Sequence, residues 1–364
     1  MKAMSEASWL PDGRLIYSVK EPEINGDTCN LWEMRIDMYT GDLIEKPRRI
    51  TNWSKFCMSD KTETADGKRL TFLESADHFT VHVADLNANG TRIIHPRHFT
   101  LSESENLAAG WTADSKALIF ASNRTGRFVI YKQPLDEDTA EPLVTDSDDF
   151  QYPRVSADGN WILYLRPAGP SAPQPVMRAP ITGGPSQPVF TARFHSAILC
   201  ARSASNLRVI AEPTDDRKQV IISALDPLKG RGPELTRFAL DPNPKEEHWN
   251  LDLSPDGTRI AAIRSPGEPI YILSLRGQVP QQIRVKGWNN LLSLNWAADG
   301  KGLFVSNGVH GGAVLLHVDL QGNARVLWKN DGGNWTPGLP SPDGRHLAIQ
   351  GWTVDGNMWM IENF

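Results

Sequence analysis

Cysteine is scarce in this chain of 364 residues, which carries only Cys29, Cys57 and Cys200. These three are too few and too dispersed for a disulfide framework, and none has the C-x-x-C spacing of a zinc site. One pair can close, but an odd count leaves a free thiol. Because cysteine is among the most frequently buried residue types, we expect buried or half-buried free thiols.

Long apolar runs and an excess of positive charge are also lacking. No apolar stretch approaches the roughly 18 residues that span a bilayer, and the N-terminal run MKAMSE lacks the apolar core of a signal peptide. As written, the chain is expected to be cytoplasmic, or extracytoplasmic if it is the module of a membrane receptor. Its 38 basic and 43 acidic residues give a net charge of −5. We therefore expect no nucleic-acid partner and no membrane insertion by this chain.

Motifs of catalysis and of metal binding are missing as well. The sequence has no G-x-S-x-G, no G-x-x-x-x-G-K-[ST], no G-x-G-x-x-G after a strand and no H-E-x-x-H. The run Asp85–Gly90 copies the first half of a calcium loop, but Pro96 stands where that loop needs a bidentate Glu. His95 and His98 are spaced for a metal without a third ligand. We predict no catalytic residue, no metal site and no cofactor.

Turn-forming and aromatic residues are plentiful, with 29 Gly, 26 Pro and 12 Trp, and this composition favours short strands. A small residue, Asp-Gly and then a short apolar strand recur eight times, some copies being degenerate. We call the Asp position of each copy the anchor. The anchors are Asp12, Asp66, Asp114, Asp158, Ser205, Asp256, Asp299 and Asp343. Neighbouring anchors lie 43 to 54 residues apart.

Each repeat has the same internal order. An apolar residue three positions before the anchor ends a first strand, as Trp111 and Trp296 do. The anchor turn, a second strand, a third strand with alternating bulky residues and a shorter fourth strand follow. Four strands in roughly 45 residues is typical of a propeller blade, and no segment of ten or more residues has helical periodicity. The sequence predicts an all-β fold: a β-propeller of four-stranded antiparallel blades, eight in number, with seven as the alternative.

We expect residues 1–364 to form a single β-propeller. The repeats are predicted to span residues 6–51, 52–100, 101–145, 146–191, 192–238, 239–285, 286–330 and 331–364. The last repeat reaches its third strand at residues 357–361 and lacks an outer strand. Either that blade has three strands, or its outer strand lies upstream in a longer parent protein. The second alternative is favoured, because an unpaired third strand would be an exposed edge.

The repeat resembles a known bacterial repeat. The run Ser-Pro-Asp-Gly at residues 254–257 and 341–344, followed by an apolar second strand and an Ile-Tyr third strand, resembles the TolB-like, WD40-like propeller repeat. Matches cover about residues 6–364. The C-terminal run, residues 356–364, also resembles the ends of propellers in bacterial receptor-type serine/threonine kinases or winged-helix regulators. This resemblance implies a non-catalytic sensor or interaction module, and no kinase motif occurs in this chain.

Aromatic residues recur where each fourth strand leads into the next first strand. In a propeller these connectors share one face at the channel mouth, where aromatic and polar groups suit a protein, peptide or small-molecule ligand. The candidate ligand-binding residues are Trp53, Phe150, Phe194, His195, His248, Trp249, Trp288, Asn289 and Trp335. The alternative interpretation is that these aromatic side chains pack between blades.

Three functional classes follow. The leading hypothesis is a non-catalytic binding or sensor propeller that presents its connector loops to a partner, as a module of a bacterial signalling protein. The second is a stand-alone TolB-like adaptor in envelope protein complexes. The third is an enzyme with an acid–base site at the channel mouth, which clustered carboxylates and histidines on the first strands would support.

Overall fold

The computed structural model describes residues 4–23, 26–37, 39–52, 57–100, 104–145, 150–169, 172–202, 205–239 and 248–362. Every regular element within these residues is a β-strand, and none of the described chain forms a helix that could span a membrane. The chain divides into two compact units. The smaller contains residues 1–78, 125–127 and 354–364, and the larger contains residues 79–124 and 128–353.

Five consecutive repeats each form one four-stranded antiparallel blade in the larger unit. Blade 3 contains β8 (Asn106–Trp111), β9 (Ala117–Ser122), β10 (Val129–Pro134) and β11 (Glu141–Val144). Blade 4 contains β12 (Gln151–Val155), β13 (Trp161–Leu165), β14 (Gln174–Pro180) and β15 (Gln187–Ala192). Blade 5 contains β16 (Ala197–Cys200), β17 (Arg208–Pro213), β18 (Gln219–Asp226) and β19 (Gly230–Ala239). Blade 6 contains β20 (His248–Leu253), β21 (Arg259–Ser265), β22 (Ile270–Ser274) and β23 (Gln281–Ile283), and blade 7 contains β24 (Leu291–Trp296), β25 (Gly302–Val309), β26 (Gly312–Asp319) and β27 (Ala324–Asp331).

The second and eighth repeats do not form separate sheets. Their long strands β6 (Arg69–Leu86) and β30 (His346–Glu362) lie side by side in one shared sheet. Its other strands are β5 (Cys57–Glu63), β7 (Ile93–His98), β28 (Gly333–Trp335) and β29 (Gly338–Pro340). Each compact unit takes one half of this sheet. We call the half in the larger unit the closing blade: β28, β29, residues 346–353, residues 79–86 and β7. The half in the smaller unit is the open blade: β5, residues 69–78 and residues 354–362.

In each half of the shared sheet, residues of β6 contact residues of β30 or of the turn that precedes it. In the larger unit, Leu86 donates its backbone N–H to the carbonyl of Arg345 at 2.7 Å, and the rings of Phe79 and Trp352 stack 5.5 Å apart. In the smaller unit, Arg69 Nε donates to Glu362 Oε1 at 2.8 Å. The second strand of repeat 2 therefore pairs with the third strand of repeat 8, and the third strand of repeat 2 pairs with the second strand of repeat 8. Counting the two halves separately, the described chain has eight blades, one for each anchor.

The six blades of the larger unit contact one another in a closed order. First strands of neighbouring blades are in contact from blade 3 to blade 7, and β24 of blade 7 contacts β29 of the closing blade. The closing blade then meets blade 3, where Trp111, Val81 and Ala348 share one apolar cluster. The prediction of an all-β propeller built from four-stranded antiparallel blades is confirmed.

The smaller unit contains blade 1 and the open blade. Blade 1 is formed by β1 (Met4–Trp9), β2 (Arg14–Glu23), β3 (Gly26–Ile36) and β4 (Leu43–Arg49). Ile16 and Leu31 of blade 1 pack with Leu70 and Phe72 of the open blade in one buried cluster. Cys29 is disulfide-bonded, so the expectation of a free thiol is wrong for this residue. It is right for Cys200, which is buried and free.

The anchor turns follow from their sequence. In the turn of Asp114, the Thr112 hydroxyl donates to the carboxylate at 2.6 Å, and the Lys116 backbone N–H donates to the same oxygen at 3.1 Å. The Ala117 backbone N–H donates to the Thr112 hydroxyl at 3.0 Å. A residue with positive φ follows the anchor, which favours glycine. Gly257 shows this with φ of 70°, and a Cβ there would also lie 2.5 Å from Ser205 Oγ.

These turns predict a pH dependence of stability. The hydroxyl of Thr64 holds the pKa of Asp66 below its usual value, and the hydroxyl of Thr112 does the same for Asp114. Because the folded carboxylates bind protons less readily than the unfolded ones, their stabilisation is complete above the unfolded pKa of about 3.9 and is lost as pH falls through the lower folded pKa. We expect the urea midpoint to be level above about pH 5 and to fall below pH 4.

The matched variant removes both hydroxyl donors. In the double variant Thr64→Val with Thr112→Val, the urea midpoint is expected to decline less steeply between pH 4 and pH 2.5 than in the wild type. The urea m-value should be similar in the two proteins. Urea titrations monitored by tryptophan fluorescence at each pH measure both curves. An acid limb that is unchanged in the double variant would contradict this origin of the pH dependence.

Candidate functional site

Residues four positions before five of the anchors line one cavity in the larger unit. They are Gly110, Arg154, Ala201, Asp252 and Leu339. We call it the central cavity. Its volume is about 40 Å³, and since one water needs roughly 10–15 Å³, it admits a few waters or a single small group such as a carboxylate.

Close approach of neighbouring first strands narrows this cavity. A Cβ on Gly110 would lie 2.7 Å from Cγ2 of Val155, so blades 3 and 4 can approach this closely only with glycine here. Two tryptophans three positions before their anchors fix neighbouring blades. The indole Nε1 of Trp296 donates to the carbonyl of Asp252 at 3.2 Å, and that of Trp111 donates to the carbonyl of Leu339 at 3.0 Å. The blade 3 contact with the closing blade thus repeats the contact of blade 7 with blade 6.

A buried ion pair forms one wall of the central cavity. The guanidinium of Arg202 binds both oxygens of Asp252, at 3.2 Å to Oδ1 and 2.6 Å to Oδ2. Asp252 Oδ2 also accepts the backbone N–H of Trp296 at 2.7 Å, and Arg202 donates to the Trp296 carbonyl at 2.9 Å. Asp252 is only 5% exposed. Its carboxylate is therefore held by three donors and is poorly placed to move a proton.

A second guanidinium faces the central cavity without such a partner. Arg154 Nη1 donates to the carbonyl of Pro153 at 3.2 Å, and within the described residues this side chain forms no ion pair. Burial lowers the pKa of Arg154, whereas the negative charge of Asp252 raises it. Arginine nevertheless stays charged in proteins. With two guanidinium groups and one carboxylate, the lining carries one excess positive charge.

The thiol of Cys200 completes the titratable lining of the central cavity. Burial raises its pKa to about 12, although the charge of Arg154 opposes that shift. The thiolate is the reactive form of cysteine. At neutral pH Cys200 is therefore a protonated, poorly nucleophilic thiol, and the cavity offers an electrostatic site for an anion and no activated nucleophile.

Of the sequence-predicted candidates, Phe150, Phe194, His195, Trp288 and Asn289 lie on connectors, whereas Trp249 belongs to β20 and Trp335 to β28. Phe150 lies edge-on to Tyr164, with ring centroids 6.0 Å apart. Trp249 lies 5.9 Å from Tyr271, and Trp288 packs against the core shared by blades 6 and 7. Phe150 also lies 6.2 Å from Phe128 of blade 3, and Trp249 lies 6.1 Å from Phe238 of blade 5, so both rings take part in packing between blades.

The other candidates differ in exposure. The rings of Phe194 and His195 lie 4.0 Å apart, with His195 exposed. Asn289 is exposed, and Trp335 is half-buried opposite Trp352 in the closing blade. Trp53 lies outside the described residues, as does the side chain of His248, although its backbone belongs to β20. The connectors leave the fourth strands, at the end of the blades away from the anchor turns.

The residues of the central cavity were missed in the sequence. A signal was present, because Arg154 and Asp252 each stand four positions before an anchor, where the other repeats have the uncharged residues Ser, Thr, Gly, Ala, Asn or Leu. The predicted blade pattern uses the apolar residue three positions before the anchor. An alignment of the repeats on the position four before the anchor distinguishes Arg154 and Asp252 as the charged residues.

Comparison with known proteins supports the fold. No protein-family model and no curated protein matches the sequence. The structure is similar to a protein assigned as TolB from Agrobacterium tumefaciens, with a TM-score of 0.59, 16% identity, and 76% of this chain and 99% of that chain covered. It is also similar to TolB from Acinetobacter baumannii, with a TM-score of 0.50, 12% identity, and 95% and 82% of the two chains covered. At these identities the similarity establishes a TolB-like propeller fold.

Proposed function

We propose that this chain is a non-catalytic binding propeller that accepts an acidic group of a protein or peptide in the central cavity. The observation that carries the proposal is the guanidinium of Arg154, which faces the cavity without a carboxylate partner among the described residues. Guanidinium groups bind carboxylates through charge-assisted hydrogen bonds. The locked Arg202–Asp252 pair supplies a rigid wall and leaves Arg154 to bind the ligand.

The same lining argues against catalysis at this place. Acid–base chemistry needs a group with a pKa near the working pH. The thiol of Cys200 has a pKa of about 12, and the carboxylate of Asp252 is held by Arg202 and the backbone of Trp296. These features support a site that recognises charge.

Binding of a carboxylate is expected to depend on Arg154. The test uses the peptide acetyl-Ala-Asp-Ala-amide, with acetyl-Ala-Asn-Ala-amide as its uncharged counterpart, in isothermal titration. The wild type should bind the Asp peptide at least tenfold more tightly than the Asn peptide, and Arg154→Met should abolish this preference. Arg237→Met is the matched control, because Arg237 pairs with Glu234 on the outer strand of blade 5.

The connector residues provide the second arm of this test. We propose them as a further ligand surface, with Trp335 and His195 as the members to replace. If Trp335→Ala or His195→Ala removes peptide binding while Arg154→Met does not, the ligand binds at the connectors and the central-cavity assignment is wrong. If neither peptide binds to the wild type or to any of the variants, the whole proposal is wrong.

For the biological role we propose a sensing or interaction module of a bacterial signalling protein, with a stand-alone TolB-like envelope adaptor as the alternative. The intact mass of the native protein in its source cell separates them. A mass near 40.4 kDa would favour the adaptor, whereas a much larger mass would favour the module. The TolB-like fold is compatible with both roles.

A further inference from the structure

Two histidines of the closing blade face each other across neighbouring strands. His82 of β6 and His98 of β7 are directly opposite in the antiparallel register, and their ring centroids lie 4.7 Å apart at an interplanar angle of 82°. Side chains of directly opposite residues project from the same face of a sheet. The backbone of the closing blade therefore holds these two imidazoles together.

His95, which the sequence spacing associates with His98, takes part in a different contact. Its Nδ1 lies 3.6 Å from Asp85 Oδ2, and the other oxygen of Asp85 lies 2.9 Å from Nδ1 of His346. The carboxylate of Asp85 is thus shared by His95 and His346. His82 and His98 form a separate pair that the sequence spacing does not indicate.

One nitrogen of this pair has no partner in the part of the chain that the structure describes. Nδ1 of His82 is buried without a hydrogen bond. The large majority of buried side-chain polar atoms are hydrogen-bonded, and an exception calls for a bound water or ion. The ring of His82 also packs against Trp328 of blade 7, with centroids 5.2 Å apart. His98 is exposed, so its ring can turn to place a nitrogen beside that of His82.

The spacing of the two rings suits one shared transition-metal ion. Imidazole nitrogens bind Zn²⁺ at about 2.0–2.1 Å, so two nitrogens on one ion lie at most about 4.2 Å apart. Rings with centroids 4.7 Å apart meet this limit when a nitrogen of each turns toward the other. An ion between them would give Nδ1 of His82 the partner that it lacks.

We propose that His82 and His98 bind one divalent transition-metal ion. Imidazole is a ligand for Cu²⁺, Ni²⁺ and Zn²⁺, whereas Ca²⁺ and Mg²⁺ take oxygen ligands, and Cu²⁺ has the highest affinity of the divalent series. No group of three or more ligating side chains occurs among the described residues, so water occupies the other positions of the ion. An ion in this place joins the outer strand β7 to β6 beside blade 7.

Cu²⁺ itself is the probe, added to the full chain after treatment with a chelator. Isothermal titration should show one Cu²⁺ ion bound per chain, with Zn²⁺ bound more weakly and Ca²⁺ not bound. Electron paramagnetic resonance should show nitrogen ligands to the Cu²⁺ ion. His82→Phe and His98→Phe should each weaken Cu²⁺ binding at least tenfold. His82→Phe keeps an aromatic ring beside Trp328, and His98 is exposed, so both variants are expected to fold.

His95→Phe is the matched control. The side chain of His95 is 82% exposed on the same strand β7, and Cu²⁺ binding should stay unchanged. Equal weakening by His95→Phe, or equal Cu²⁺ binding by the wild type and all three variants, would mean an adventitious ion only and would overturn the proposal. A loss in only one of His82→Phe and His98→Phe would overturn the shared site, and absence of Cu²⁺ binding would assign Nδ1 of His82 to a water. None of these results depends on Arg154, so this proposal and the central-cavity proposal stand or fall separately.

Discussion

Asp252→Ala is expected to lower the free energy of unfolding by about 3–5 kcal/mol, because it leaves a buried charge without its partner. Arg202 would lose both of its bonds to the carboxylate. The backbone N–H of Trp296 would lose its acceptor as well. The positive charge of Arg154, which lines the same cavity, would then be opposed by no carboxylate in the lining. Urea unfolding monitored by tryptophan fluorescence measures the loss.

Two further variants define this effect. Asp215→Ala removes a carboxylate that pairs with Arg193 at 3.0 Å on the surface, and it should change stability by about 1 kcal/mol or less. The double variant Arg202→Met with Asp252→Leu removes both charges together and should be more stable than Asp252→Ala alone. A loss below about 1 kcal/mol for Asp252→Ala would mean that the pair does not stabilise the centre of the larger unit.

Trp296→Ala is expected to destabilise the larger unit by about 3–5 kcal/mol. Trp296 is fully buried in the cluster between blades 6 and 7, and its indole donates to the Asp252 carbonyl. The guanidinium of Arg259 lies 4.7 Å above its ring. Removing the ring leaves a cavity between two blades, a buried carbonyl that has lost one of its donors and a cation without its aromatic partner. Thermal and urea unfolding measure the change.

The exposed Trp359→Ala, on the edge of the open blade, is the control and should change stability by about 0.5 kcal/mol or less. The conservative Trp296→Phe should fall between the two, because it keeps most of the packing and loses the hydrogen bond. If Trp296→Ala were no more harmful than Trp359→Ala, the contact would not hold the blades together.

The repeat order and the strand content could be predicted from local chemistry. Each anchor turn is specified within a few residues, as Thr112, Asp114 and Ala117 show by their mutual hydrogen bonds. Such signals do not depend on the rest of the fold. The turns after Asp66 and Asp343 form as predicted between first and second strands, although their repeats are otherwise unusual.

The shared sheet could not be predicted in this way. Asp355-Gly356 reads as a turn that separates second and third strands, yet β30 continues through it from His346 to Glu362. In repeat 2, residues 69–86 contain neither Gly nor Pro, which in hindsight indicates one long strand. Each half of β6 pairs with a half of β30, and the paired residues lie far apart in the sequence. No local pattern encodes that choice.

The central cavity escaped prediction for a related reason. Arg154 and Asp252 belong to different blades and lie 98 positions apart, so their proximity depends on closure of the larger unit. The candidate connectors, by contrast, were selected by residue type alone. Aromatic side chains serve packing and binding equally well, as the contacts of Phe150 and Trp249 illustrate.

The closing blade has a consequence for the order of folding. Blades 3 to 7 each join strands that follow one another along the chain, whereas Gln350 of the closing blade bonds to Thr80, 270 positions away. Closing a loop of that length costs about 2 kcal/mol more entropy than closing one of about 20 residues. Blades 3 to 7 can therefore form from segments that follow one another along the chain. On this entropic ground we expect the pairing of the distant segments around residues 80 and 350 to form last. The six blades of the larger unit are cyclic in their contacts, but the chain must build that cycle from a linear array of repeats.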